Sequence, residues 1–303
     1  MISGFWRLQS RGHSRGTQWR GARLCRLLGL AFAAWCAWAA VAASSPLLST
    51  SRSAPGGGRE TPGQVRLFPA GRDEATGRYR AVAEIALADG YKTYWREPGD
   101  SGVPTTFDWA GSGNVADVQV RYPAPERFFD GSGHAIGYLR TVRFPLEVAP
   151  AAAGRPVELR LDVDFGVCRE ICIPEQATVT ATLSDIVQIA GLWEDAVALL
   201  PATVEPGETA SGVAVASGSL DGDSLRLSIA GDIGEGGDVF VEGPPGWQFG
   251  RPQREARSMP GGGTVFIVPV RHPAGAGPAD LTVTVTVTGG VRPVETRLRI
   301  GAP

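Results

Sequence analysis

Two cysteines four residues apart, Cys168 and Cys172, are the side chains whose type and spacing can do chemistry in this sequence. They lie in the segment Leu161-Asp-Val-Asp-Phe-Gly-Val-Cys168-Arg-Glu-Ile-Cys172-Ile-Pro-Glu175, where one β-like run ends and the next begins. If Arg169 to Ile171 form a three-residue hairpin loop, the cysteines face each other across an antiparallel ladder. Opposed residues there have Cα atoms about 4.5–5.5 Å apart, within the roughly 4.4–6.8 Å that a disulfide spans. Such a bond forms and breaks without large backbone movement.

Three chemistries compete for the pair. As a structural staple it is weak, because closing a loop of about five residues gains only about 2 kcal/mol, against about 3 for fifteen. A chain of this length can also build its apolar cores unaided. As a zinc or copper site it lacks company, since past the N-terminal segment only His134, His272 and Met259 could complete a ligand set. No metal is therefore assigned. Exposure at a loop, with Pro174 fixing the chain just beyond, favours thiol–disulfide exchange. No Ser-His-Asp arrangement, phosphate-binding loop or paired-carboxylate motif stands out.

The compartment follows from the N-terminus. Arg7, Arg11, Arg15, Arg20, Arg23 and Arg26 precede an uncharged stretch from Leu27 to Ala43 that ends Ala40-Val-Ala-Ala43. A basic region, an apolar region and a small-residue cleavage site make a secretory signal; a retained membrane anchor is the rival reading, although spanning wants about 20 apolar residues. Cleavage would remove Cys25 and Cys36 and leave Cys168 and Cys172 paired in an oxidising space, read as the periplasm. It would also leave 23 basic against 31 acidic residues, a net charge of −8. That balance carries no electrostatic footprint for nucleic acid. Lys92 is the sole lysine of the chain.

The elements that must hold the cysteines read as all-β. Residues 44–63, rich in Ser, Pro and Gly, form a disordered lead-in, and order begins near Val65. Seven alternating or β-branched runs follow: 79–87, 91–95, 105–109, 115–122, 142–148, 157–167 and 176–183. Strands at this spacing predict one immunoglobulin-like antiparallel sandwich over residues 64–184. Ile186, Ile189, Trp193, Val197 and Leu200 then share a helical face, with Ser184 or Asp185 as N-cap and Pro201 as stop, predicting a connecting helix over 185–201. Further β-like runs at 213–216, 224–229, 238–241, 264–270, 281–287 and 294–300 predict a second, smaller sandwich over 202–303.

Three blocks carry a family resemblance: Tyr94-Trp95-Arg-Glu-Pro98-Gly99-Asp100-Ser101-Gly102, Tyr122-Pro-Ala-Pro125-Glu-Arg-Phe128, and Phe165-Gly-Val-Cys168-Arg-Glu-Ile-Cys172-Ile-Pro174-Glu175. Together they resemble the N-terminal periplasmic domain of the thiol:disulfide interchange protein DsbD, and more closely the corresponding region of its ScsB-type relatives, although the DsbD domain spaces its cysteines more widely. The resemblance implies an immunoglobulin-like fold with no small cofactor. It implies a cysteine pair that takes electrons from a membrane-embedded or thioredoxin-like donor and passes them to oxidised periplasmic proteins. The sequence as read to Pro303 shows no multi-span region, so the donor is expected to be a separate polypeptide. The resemblance further implies that Cys172 forms the mixed disulfides and Cys168 resolves them. It also implies that a cap loop within residues 128–134 shields the pair, with Phe128 or Phe129 as the aromatic cover and Asp130 and Gly131 in the loop. Tyr91, Tyr94 and Trp95 either line the approach or serve the core, and the Pro98-Gly99-Asp100-Ser101-Gly102 block is first of all a turn. The rival from another class is a non-catalytic immunoglobulin-like binding module with a fixed disulfide.

Overall fold

The structure, a computed structural model, describes residues 62–131, 133–187, 189–255, 262–273 and 281–300. The expected signal segment, and the lead-in up to residue 61, lie outside these residues. From Gly63 onward the chain is nearly all β, as its alternating patterns predict.

Ten strands build the first sandwich: β1 (Gly63–Arg72), β2 (Tyr79–Leu87), β3 (Thr93–Gly99), β4 (Thr106–Asp108), β5 (Val115–Val120), β6 (Glu126–Phe129), β7 (His134–Tyr138), β8 (Val142–Pro150), β9 (Val157–Cys168) and β10 (Cys172–Leu183). Sheets of order β1-β2-β8-β5 and β10-β9-β4 share one core, and a third sheet, β3-β7-β6, flanks them. The period of two sets the facing. Val157, Leu159, Leu161, Val163 and Phe165 of β9 point inward against Phe144, Leu146 and Val148 of β8, all essentially buried. Three of the ten strands, β1, β6 and β7, have no counterpart among the seven sequence runs. Two of them are short, and β1 carries Pro69 and Gly71 at an irregularity in its pairing, which weakens their alternation.

The connecting helix is shorter than its apolar period predicts. It spans Leu192–Ala198 and starts at Gly191, whose φ of 80° breaks the helix before it, so neither Ser184 nor Asp185 is its N-cap. The residues ahead of Gly191 answer to the sheet: the Ser184 Oγ accepts from the Ile186 amide at 3.2 Å, and Val187 bridges to Ala70. Tertiary pairing overrides the periodicity there. Leu192 and Ala196 of the helix pack on Phe68 and Val82, which explains why β2 is buried on both faces. Full burial of each large apolar side chain contributes roughly 1.5–3 kcal/mol.

Beyond the helix a second sandwich has its own core of residues such as Leu225, Leu227, Ile229, Val268 and Val285. One sheet contains Ala202–Val204, Val294–Arg299, Thr282–Val287 and Val239–Glu242; the other contains Ala214–Asp221, Ser224–Ala230, Thr264–Arg271 and the short Gln248–Phe249 and Gln253–Arg254. The two sandwiches meet at the third sheet, where Phe240 enters the core of the first and sets its ring edge-on to Trp95 at 6.0 Å.

Candidate functional site

The β9–β10 hairpin delivers the cysteines. Its register runs without a slip from Val157↔Leu183 to Cys168↔Cys172, so the three residues Arg169 to Ile171 close the turn. Cys168 and Cys172 are joined in a disulfide with Cα atoms 4.1 Å apart, slightly under the expected range. The sulfurs are not equivalent. Cys168 is 1% exposed, held by reciprocal main-chain hydrogen bonds with Lys92, both at 2.9 Å. Cys172 is exposed, as are Ile171 and Ile173 beside it. Pro174, which cannot donate to a ladder, is tolerated because β10 lies at the edge of its sheet.

Beneath the disulfide lies Tyr94, which is 1% exposed. Its hydroxyl is 2.9 Å from the Cys168 Sγ and 3.0 Å from the Cys172 Sγ, and it donates to the Asp130 Oδ2 at 3.0 Å. Burial, and then the Asp130 carboxylate, hold the phenol well above its ordinary pKa. Asp130 is itself buried and accepts from the Ser101 Oγ at 2.8 Å and the Gly133 amide at 3.0 Å. A phenol has one proton to give. While the sulfurs are bonded to each other they are weak acceptors and the proton serves Asp130; a thiolate at either position would compete for it. The pair can therefore hold a proton next to a sulfur that gains and loses charge.

The ring of Tyr94 reaches this position because two glycines make room. A Cβ on Gly166 would lie 2.9 Å from the Tyr94 Cε2, and one on Gly102 would lie 2.6 Å from its Cδ1. The Pro98–Gly102 block is thus the turn its composition predicts, and it also supplies Gly102 and Ser101 to the surroundings of Tyr94 and Asp130. The sequence assigns Ser101 and Gly102 only to a turn and gives Gly166 no role of its own. Their signal is that both glycines fall in the blocks that also hold Tyr94 or Cys168.

The hairpin of β6 and β7 covers the cluster from outside. Phe128 packs against Tyr94, Ala135 and Cys168, with its ring 6.2 Å from that of Tyr94 and nearly stacked. Phe129 is 61% exposed and meets His134 edge-on instead. At the tip Gly131 has φ 99°, a left-handed conformation that suits glycine. Lys92 ties this hairpin down: its Nζ donates to the Phe129 carbonyl at 3.2 Å and lies 5.1 Å from the centre of the Phe128 ring. Of the other aromatics, Trp95 belongs to the sandwich core, and Tyr91 packs against that core under the Arg169 guanidinium. Among the described residues no group of three or more His, Cys, Asp or Glu could hold a metal ion, and no helix is long and apolar enough to cross a membrane.

Comparison with known proteins agrees with this architecture. Residues 64–184 match the family model described as the N-terminal domain of the thiol:disulfide interchange protein DsbD. The fold is similar to the crystal structure of the N-terminal periplasmic domain of ScsB from Proteus mirabilis, with a TM-score of 0.68 and 24% identity over 86% of this chain and 100% of that one. No curated protein matches the chain. The resemblance read from the three sequence blocks is thus borne out: residues 64–184 match the DsbD N-terminal family, in a chain that folds like the N-terminal periplasmic domain of ScsB.

Proposed function

We propose that this chain is a periplasmic thiol–disulfide exchange protein that takes reducing equivalents from a membrane or thioredoxin-like donor and passes them to oxidised periplasmic proteins. The observation that carries this reading is the asymmetry of the pair: at a strand end, Cys168 is buried beneath an aromatic cover and Cys172 is exposed. A structural staple has no use for such an arrangement. In the reduced protein the Cys172 thiolate attacks one sulfur of an oxidised partner, forming a mixed disulfide and releasing the partner's other sulfur as a thiolate. Cys168 then attacks the Cys172 Sγ, which restores the disulfide and releases the reduced partner. Tyr94 stabilises the charge on sulfur by turning its one hydroxyl proton from Asp130 to the thiolate. Phe128 covers Cys168 and Tyr94 and so restricts the resolving half of the pair until a docked partner displaces it, and Phe129 stands ready at the surface to contact that partner. No cofactor takes part.

Equilibration with redox buffers of known potential tests the proposal. The pair is expected to titrate between about −120 and −270 mV, as exchanging disulfides do. A potential below about −300 mV would place it among fixed structural bonds and leave the sandwich as a binding module.

A further inference from the structure

The cysteines and the side chains around them all come from the first sandwich, yet the second is fastened to one particular part of it. Arg96 on β3 gives its Nε and Nη2 to the Glu242 carboxylate, each at 2.7 Å, and its Nη2 also reaches Glu295 at 2.8 Å. Arg127 on β6 donates to Asp238 at 2.8 Å and to the Val239 carbonyl at 3.1 Å, with its guanidinium 5.0 Å from the centre of the Phe240 ring. His134 at the start of β7 accepts from the Arg251 Nη1 at 3.1 Å. Each strand of the flanking sheet therefore has its own link to the second sandwich. That sheet is the one that carries Tyr94, Phe128 and Asp130 to the disulfide.

Trp95, Ile136 and Tyr138 anchor the sheet in the core of the first sandwich, but its own ladder is sparse. β6 and β7 are four and five residues long, and β3 pairs with β7 through Thr93, Tyr94 and, after an irregularity, Gly99. Three short strands with few ladder bonds open at little cost unless something backs them. The two partly buried links at Arg96 and Arg127 supply that backing, because charge-assisted pairs partly shielded from water hold their geometry better than fully exposed ones.

We infer that the second sandwich is the frame on which the cap-bearing sheet is mounted, fixing β3, β6 and β7 as one body. The backbone of the cap is thereby held in place, and uncovering the pair falls to the Phe128 side chain. The frame follows from contacts alone; its effect on turnover rests on the exchange reading above. Loosening it lets the whole sheet swing, exposes the cysteines more often and admits thiol reagents without selection.

Two readouts on the full chain test this. The first is the rate at which the reduced protein reacts with oxidised glutathione, which returns the Cys168–Cys172 disulfide and two glutathione thiols. The second is amide hydrogen exchange in β6 and β7. Arg127→Met and the milder Asp238→Asn are expected to raise both by about three- to tenfold. Arg226→Gln, which breaks the ion pair with Glu255 within the second sandwich, should move neither. Rates and protection within twofold of the unsubstituted chain in both frame variants would overturn the inference. If the unsubstituted protein does not react with glutathione, the exchange reading fails, and amide exchange still decides whether the frame exists.

Discussion

Replacing Lys92 by methionine keeps the aliphatic stem and removes the charge that holds the cap hairpin to the rest of the site. The variant loses the hydrogen bond from Nζ to the Phe129 carbonyl and the contact of the ammonium with the Phe128 ring. It keeps the two main-chain bonds that seat Cys168, so the disulfide hairpin is undisturbed. An exposed hydrogen bond from a charged group contributes about 0.5–1 kcal/mol, and an exposed cation–π contact adds about the same. Together they favour the closed cap by about 1–2 kcal/mol, a factor of about 5–30 in its equilibrium. With reduced protein and oxidised glutathione well below saturation, the exchange rate should rise by that factor, and Lys92→Arg should restore most of the original rate. Because Lys92 is the sole lysine, acylation of its amine in the unsubstituted chain offers a second readout, slow while the cap is closed. A Lys92→Met rate within twofold of the original would refute the latch and with it the reasoning that Phe128 gates the pair.

Cys168→Ser is expected to trap a long-lived mixed disulfide with an oxidised thioredoxin-like partner through Cys172, while Cys172→Ser traps little. Mass spectrometry of the adducts decides this, and trapping chiefly at Cys168 would reverse the roles. Gly166→Ala drives a methyl into the Tyr94 ring, and overpacking of this kind costs about 1–3 kcal/mol, measurable as a lower urea midpoint; an unchanged midpoint would mean the ring is not seated there. Tyr94, Tyr122 and Tyr138 all hold their protons above the usual phenol range, chiefly because burial penalises the phenolate. The unfolded chain sheds these protons from about pH 10 while the folded chain keeps them. Their contribution to stability is therefore complete below that pH and lost as the pH rises through the raised values. Urea midpoints should begin to fall near pH 10 and keep falling above it, less steeply in Tyr94→Phe; a flat profile would contradict the burial of these phenols.

Much of the scaffold was legible because its strands alternate. The inward set of β9 and the spacing of Cys168 and Cys172 announce a hairpin with opposed cysteines, and that is what forms. The helix was overextended because Ile186 and Ile189 happen to lie at helical spacing from Trp193, and a periodic pattern does not reveal that Gly191 adopts a left-handed conformation or that Val187 bridges to Ala70. At the site, Tyr94 could be named from a family block and Asp130 from the expected cap loop, yet their meeting could not be read from spacing, since it depends on β3 and the β6–β7 hairpin converging from distant parts of the chain. The part of Lys92 was hidden for a related reason: a lone lysine looks like a solvated charge until the fold places a carbonyl and a ring within its reach. Gly102 and Gly166 read as turn and strand residues, although what demands glycine there is a tyrosine ring packed against each backbone.

Phe240 is supplied by the second sandwich but finishes the core of the first, at 1% exposure. Order along the chain and independence in free energy are therefore different things here. Emptying that position, as Phe240→Ala would, costs about 3–5 kcal/mol, a sizeable share of what a typical domain has to spare. Heating should melt both sandwiches in one transition, because neither can open without stripping a neighbour of packed surface. The redox half is not portable: a segment of residues 64–184 transplanted elsewhere would carry its cysteines intact and still lack the phenyl ring on which Trp95 rests.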